Sequence, residues 1–187
     1  MKLPRSACQL VCHPDDSAGG VGSIEVDVRR LSPTMMQLQY RISGDVSSLK
    51  IPGRARPEKR DELWRHTCFE LFFTLANAGY YEFNFSPSLQ WAAYRFKSYR
   101  EAMADLELAS SPRIQVETTP GALTLDVLID MQGLLPSEAD GMHPMALAAV
   151  IEHRDGNVSH WALAHAASKP DFHHPDGFVG VLPDNVV

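Results

Sequence analysis

Two consecutive stretches decide the fold of this chain: TCFELFFTL at residues 67–75 and YYEFNFSPSLQW at residues 80–91. In both, apolar residues recur at every second position, which is the period of a strand with one buried face. A short turn at residues 76–79 separates them, so the sequence predicts a β-hairpin. Because a slip of one residue would exchange the two faces, the apolar pattern also selects the register of the pairing.

The selected register gives one aromatic face and one polar face. The predicted pairs are Phe69 with Phe85, Leu71 with Phe83, Phe73 with Tyr81, Glu70 with Asn84, and Phe72 with Glu82. The polar face therefore carries carboxylates and an amide in a row. Such groups close to the tryptophans Trp64 and Trp91 form the combination that a sugar-binding surface needs, an apolar wall with a few fixed polar groups. This pattern is a reason to expect ligand binding.

Composition excludes several classes of protein. The 187 residues predict one domain, 1–187, with a core large enough to form without disulfides. Basic residues at 54–65 alternate with acidic ones and the net charge is -6, so nucleic acid is not an expected partner. Neither a signal segment nor a membrane-spanning run is present, and the cysteines are odd in number. The sequence predicts a cytoplasmic protein without a membrane partner and leaves its oligomeric state open.

Strand patterns dominate the rest of the chain. Hairpins are predicted at 24–42 and 114–129, and further strands at 91–96, 145–152 and 159–164. Residues 99–108 have the spacing of a short helix, residues 44–62 are typical of a long surface loop, and residues 1–20 are expected to be flexible. About eight to ten short strands with almost no helix predict an all-β fold, an antiparallel β-sandwich.

Four motifs together resemble the DOMON-like superfamily. They are ELW at 62–64, CFELF at 68–72, YEFNFSP at 81–87 and the tail KPDFHHPDGF at 169–178. The resemblance extends over most of the chain and is nearest to the type 9 carbohydrate-binding modules, including a bacterial branch of unknown function. It implies a β-sandwich that binds a small molecule, such as a sugar.

The resemblance also implies site residues. In the sugar-binding relatives, two tryptophans clamp a sugar ring while a carboxylate, an amide and an arginine bind its hydroxyls. The matching positions here are Trp64 and Trp161 for the clamp, Glu70 for the carboxylate, Asn84 for the amide and Arg95 for the guanidinium. Haem-binding members use Met with His or Lys as axial ligands. No position clearly matches those, so no cofactor is predicted.

Each candidate also has a structural interpretation. Trp64 could close one end of the sandwich, and Trp161 lies in an apolar run that is typical of a core strand. Carboxylates inside apolar strands are rarely buried without a partner. Glu70 could accordingly form an ion pair with Arg95 or Arg65.

The sequence leaves three functions open. The first is non-catalytic binding of a carbohydrate-like ligand, which in the cytoplasm would be a small or nucleotide-linked sugar. The second is an enzyme, in which Glu70 and Glu82 perform acid–base work or the histidine-rich loop 165–174 holds a metal. The third is a partner-binding protein. The absence of a nucleophile elbow, a phosphate-binding loop or an HExxH motif favours the first.

Overall fold

The computed structural model describes residues 5–75, 79–135 and 143–183. The predicted turn at 76–79 therefore lies almost wholly outside the described residues. Within the described part, twelve strands are present: β1 (Arg5–Cys12), β2 (Val21–Arg30), β3 (Met35–Gly44), β4 (Cys68–Thr74), β5 (Tyr80–Phe85), β6 (Trp91–Phe96), β7 (Ala104–Asp105), β8 (Arg113–Thr119), β9 (Ala122–Asp130), β10 (Pro144–Glu152), β11 (Val158–Ala162) and β12 (Gly180–Val181).

All strand pairs are antiparallel, and they form one curled sheet in two halves. The first half has the order β1-β2-β3-β9-β8, and the second has the order β7-β6-β5-β4-β10-β11, with β12 added beside the start of β10. Strand β1 joins the halves, because its first residues pair with β2 while Val11 and Cys12 pair with β11. The predicted all-β, antiparallel sandwich-like architecture is confirmed.

The main core lies between the two halves. Tyr40 of β3 and Phe69 of β4 meet there with ring centroids 5.1 Å apart. The Tyr40 hydroxyl donates a hydrogen bond of 2.8 Å to the Glu70 carbonyl oxygen, which ties the halves together through a buried polar contact. Phe83 stacks between Phe73 and Phe85 at 5.9 and 6.5 Å. The inner face of β4 and β5 is thus aromatic core, as predicted.

The predicted register of the central hairpin is also confirmed. Glu70 pairs with Asn84 and Phe72 with Glu82, so the polar residues share the outer face. The hairpins over 24–42 and 114–129 form with matched apolar faces as well. In each hairpin the two-residue period excludes a slip of one residue, because such a slip would turn the apolar side chains to the polar face.

Two local predictions are wrong. Residues 99–108 form no helix; the segment contains β7, and the amide of Leu106 donates to the carbonyl of Ala93, so it extends the sheet at the edge of β6. Residues 5–12 are not a flexible segment but strand β1, whose backbone groups pair on both sides. Residues 44–62 do form a long connection, with a single 3-10 turn at Val46–Ser48.

Among the described residues, no helix has the length and apolarity needed to cross a membrane.

Candidate functional site

The outer face of the second half carries a row of small and polar side chains. Across neighbouring strands, the row has the order Ala92, Asn84, Glu70, Ala148 and Ala162. Alanine side chains on both sides of the pair Glu70 and Asn84 leave space above them. The sequence thereby makes a hollow in an otherwise aromatic surface.

Aromatic and charged side chains from three loops surround this hollow and form a pocket of about 1060 Å³. Its apolar walls come from Tyr94 and Phe96 of β6, from Trp64, and from Phe172 in the C-terminal loop. Trp64 is 49% exposed, which leaves much of its ring available to a bound molecule. We name this space the outer pocket. Glu70 and Glu82 both line it.

Glu70 is the unusual residue of the pocket. The side chain is 3% exposed, and its Oε1 atom has no hydrogen-bond partner in the part of the chain that the structure describes. Within the described residues, no Lys or Arg side chain lies within ion-pair distance of this carboxyl group. Arg65 instead pairs with Glu62 at 2.7 Å. The interpretation of Glu70 as half of a buried ion pair with Arg95 or Arg65 is therefore wrong.

Burial raises the pKa of Glu70 well above its usual range, and the neighbouring charge of Glu82 raises it further. Glu82 is also buried, and burial raises its pKa to about 7 even though the Asn84 amide donates to its Oε1 atom at 2.6 Å. Burial disfavours the charged form of a carboxyl group unless enough donors or cations compensate. Two acids at the floor of a pocket with incomplete compensation are typical of a functional site.

The histidine His173 covers one side of Glu82. Its Nε2 atom lies 3.7 Å from Glu82 Oε2, and its Nδ1 atom lies 2.8 Å from the hydroxyl of Tyr80. Burial, with a contribution from Arg100, lowers the pKa of His173 to about 4. His173 is therefore neutral near pH 7 and does not supply the missing positive charge.

Arg100 is already engaged at the rim. Its guanidinium donates to Asp171 at 2.8 Å, and its backbone amide donates to the Tyr80 hydroxyl at 3.2 Å. Burial of Asp171 opposes ionisation, but hydrogen bonds from Tyr99 and Arg100 outweigh it and lower the pKa of this carboxyl. Arg100 also has a left-handed backbone with φ 55°, as has Glu62 with φ 62°. Residues held in this sparsely populated region are concentrated at binding and active sites.

The structure brings three of the five predicted site residues together. Trp64 and Glu70 line the outer pocket, and Asn84 supports it from beneath through its hydrogen bond to Glu82. The register with Tyr81 puts Arg95 on the opposite face of β6 from Tyr94, so its side chain points away from Glu70. Trp161 lies in the main core, where its indole N–H donates to Ser159 Oγ at 3.0 Å. Neither Arg95 nor Trp161 reaches the pocket.

The histidine-rich loop does not converge on one point. His165 Nε2 lies 2.9 Å from the Val11 carbonyl, His173 faces Glu82, and His174 Nδ1 accepts from the amide of Asp176. Across the described ranges, no group of three or more His, Cys, Asp or Glu side chains is arranged to hold a metal ion. His173 and His174 lie in and next to a turn and face different neighbours, Phe72 and Tyr99 respectively.

Several pocket residues were not predicted from the sequence. The positions of Tyr94 and Phe96 could have been predicted from the alternation along β6. Ala92 pairs with Asn84, so every second side chain after Ala92 lies on the same face as Asn84. The same argument applies to His160, which precedes the buried Trp161 on β11. Phe172 and Arg100 carry no such signal, because the loops that hold them are far from β4 in the sequence.

A protein of known structure shares this fold. The fold matches the crystal structure of a putative carbohydrate-binding protein from Bacteroides uniformis with a TM-score of 0.65 and 15% sequence identity. The match covers 95% of this chain and 85% of the other. At this identity the likeness establishes a shared fold. The sequence matches no protein-family model and no curated protein.

Proposed function

We propose that this protein is a non-catalytic, carbohydrate-binding β-sandwich that holds a small sugar in the outer pocket. Trp64 stacks on the sugar ring, and Glu70 anchors a polar group of the sugar at the pocket floor. Asn84 orients Glu82, which reaches a second polar group. The fold shared with a putative carbohydrate-binding protein and the resemblance to DOMON-like and type 9 modules both support this function.

One observation carries the proposal: the buried Glu70 Oε1 atom has no hydrogen-bond partner among residues 5–75, 79–135 and 143–183. A buried polar atom without a hydrogen bond costs about 1–3 kcal/mol. A protein can keep such an atom when a bound ligand supplies the missing hydrogen bond, because binding then removes the cost. A hydroxyl group would donate to this oxygen, and the flanking Ala92 and Ala148 leave room for a ring above it.

The test is Glu70→Gln, which keeps the shape of the side chain and removes its ability to ionise when a ligand binds. We expect the variant to fold normally and to bind the preferred sugar about tenfold to a hundredfold more weakly, because a hydrogen bond to a charged group contributes about 1.5–3 kcal/mol. A thermal-shift screen of neutral, amino and nucleotide-linked sugars identifies the ligand, and calorimetry then measures its affinity.

Glu117→Gln is the matched control, because Glu117 is exposed on β8 in the other half of the sheet. That variant should bind as the wild type does. A Glu70→Gln protein that is destabilised, while no sugar binds even the wild type, would contradict the proposal.

A second function, acid–base catalysis by Glu70 and Glu82, is favoured by one specific observation. The two carboxyls are diagonal neighbours on β4 and β5, and both have raised pKa values. Diagonal residue positions in a sheet lie about 7–8 Å apart, so two glutamates there can bring their carboxyl groups to the separation of about 5–9.5 Å found in glycosidases. Release of nitrophenol from aryl glycosides, lost in both Glu→Gln variants, would establish the enzyme. Binding without turnover would establish the non-catalytic function.

A further inference from the structure

The floor of the outer pocket is acidic, and no described Lys or Arg side chain pairs with its two glutamates. The pocket-lining acids are Asp61, Glu62, Glu70, Glu82 and Asp105, against two arginines, Arg60 and Arg100. Lys59 forms an ion pair with Asp105, and Arg65 forms one with Glu62. Both ion pairs lie away from the pocket floor. No comparable partner reaches Glu70 or Glu82 among the described residues. The two acids without a cation partner are therefore at the bottom of the pocket, where a bound cation would favour their charged forms.

The two arginines do not reverse this balance. Arg100 is bound to Asp171 and about half exposed, and Arg60 is exposed. The two histidines that line the pocket also supply no positive charge to Glu70 and Glu82. His160 pairs with Asp16 at 2.9 Å, and His173 is neutral near pH 7. An anionic ligand such as a sugar phosphate would meet two buried acids at the floor.

The aromatic walls fit a cation as well as a ring. Aromatic faces attract a cation within about 6 Å of their centroids, and more strongly where water is excluded. Tyr94 and Phe96 flank the floor from β6, and Phe172 faces it from the C-terminal loop. Uncompensated acids with aromatic neighbours match a ligand that has one positive charge beside apolar ring faces.

From the unpartnered Glu70 oxygen and this charge balance, we infer that the outer pocket selects a sugar carrying a protonated amine, with the ammonium group bound between Glu70 and Glu82. The inference rests on the proposed carbohydrate-binding function and narrows its ligand class. An ammonium group donates three hydrogen bonds, whereas a hydroxyl donates one. It can therefore satisfy Glu70 Oε1 and still reach Glu82.

The experiment compares matched sugars by calorimetry at pH 6.5 and at pH 7.5, because the amines lose protons and Glu82 ionises over this range. The pairs are glucose with glucosamine, galactose with galactosamine, and mannose with mannosamine. The N-acetylated form of each amino sugar is a second control that removes the charge. The proteins are the wild type, Glu70→Gln, Glu82→Gln and the exposed control Glu117→Gln.

We expect at least one amino sugar to bind about tenfold to a hundredfold more tightly than both its neutral parent and its N-acetyl form. Glu70→Gln should abolish that preference, Glu82→Gln should reduce it, and Glu117→Gln should preserve it. Equal or tighter binding of the neutral parents would overturn this inference and leave the carbohydrate-binding function intact. Failure of every sugar, charged and neutral, to bind the wild type would overturn both.

Discussion

The two faces of the β4–β5 hairpin are buried to the same degree but do different things. On the inner face, Phe83 is enclosed by other aromatic rings of the core. On the outer face, Glu70 is almost as inaccessible, yet it borders a pocket, and one of its oxygens has no hydrogen-bond partner among the described residues. Burial alone does not distinguish core from site. The difference lies in whether the protein itself completes the contacts of the buried group.

The largest expected effect is on the inner face. Phe83→Ala removes a ring that stacks on Phe73 and Phe85 and leaves a cavity in the main core. We expect the free energy of unfolding to fall by about 3–5 kcal/mol. Sugar affinity, measured where the variant is still folded, should change little. Chemical denaturation checks the first part, and a loss below about 1 kcal/mol would mean that the inner face is not the main core.

The next effect concerns Glu82 and pH. Its pKa is raised from 4.5 to about 7 in the folded protein, so its contribution to stability is full below pH 4.5 and is lost as the pH rises through about 7. Wild type should therefore lose up to about 3 kcal/mol relative to Glu82→Gln over that window. Denaturation of both proteins at several pH values measures the difference.

The comparison with Glu82→Gln is needed because His173 changes the stability with pH in the opposite direction. Its pKa is lowered to about 4, so its contribution is full above pH 6.5 and is lost as the pH falls towards 4. This term is present in both proteins and largely cancels in the difference. A difference that does not change with pH would show that Glu82 is not a poorly compensated acid.

A smaller effect is expected at the exposed wall. Trp64→Ala removes one stacking face and should weaken sugar binding about twofold to tenfold, because an aromatic pair contributes about 0.5–1.5 kcal/mol beyond burial of area. Stability should change by less than about 0.5 kcal/mol, since the ring is half exposed. Titration of the variant with the preferred sugar tests this. Unchanged affinity together with lower stability would identify Trp64 as a structural lid instead.

The smallest effect is expected at Arg95. The side chain is exposed on the face of β6 opposite to Tyr94, so Arg95→Ala should leave the affinity within about twofold of wild type. The same calorimetric titration measures it. A tenfold loss would mean that the arginine reaches the ligand after all and that the assignment of the two faces at β6 is wrong.

The sequence was sufficient for the faces and register of the central hairpin, because alternation is a local property that each strand carries by itself. The same alternation along β6 excludes Arg95 from the pocket. Adjacent residues of a strand point to opposite faces, and its neighbour Tyr94 lines the pocket. For Trp161 the adjacent His160 supplies the same information. The resemblance to sugar-binding relatives implied both residues, whereas the local alternation places both side chains on the face opposite to Glu70.

The pocket walls could not be predicted in that way. Trp64, Arg100 and Phe172 lie in three loops, and only the folded chain brings them over Glu70. The segment 99–108 has helical spacing but buries Leu106 at the sheet edge, where pairing with β6 satisfies the backbone. Tertiary contacts of this kind override local propensity.

The most direct test of the account is a crystal structure with the tightest-binding sugar. We predict a sugar polar atom within about 3.2 Å of Glu70 Oε1, with the ring against Trp64 and no protein group bonded to that oxygen. A sugar bound elsewhere, or a Glu70 carboxylate whose oxygens are both occupied by protein side chains, would contradict it.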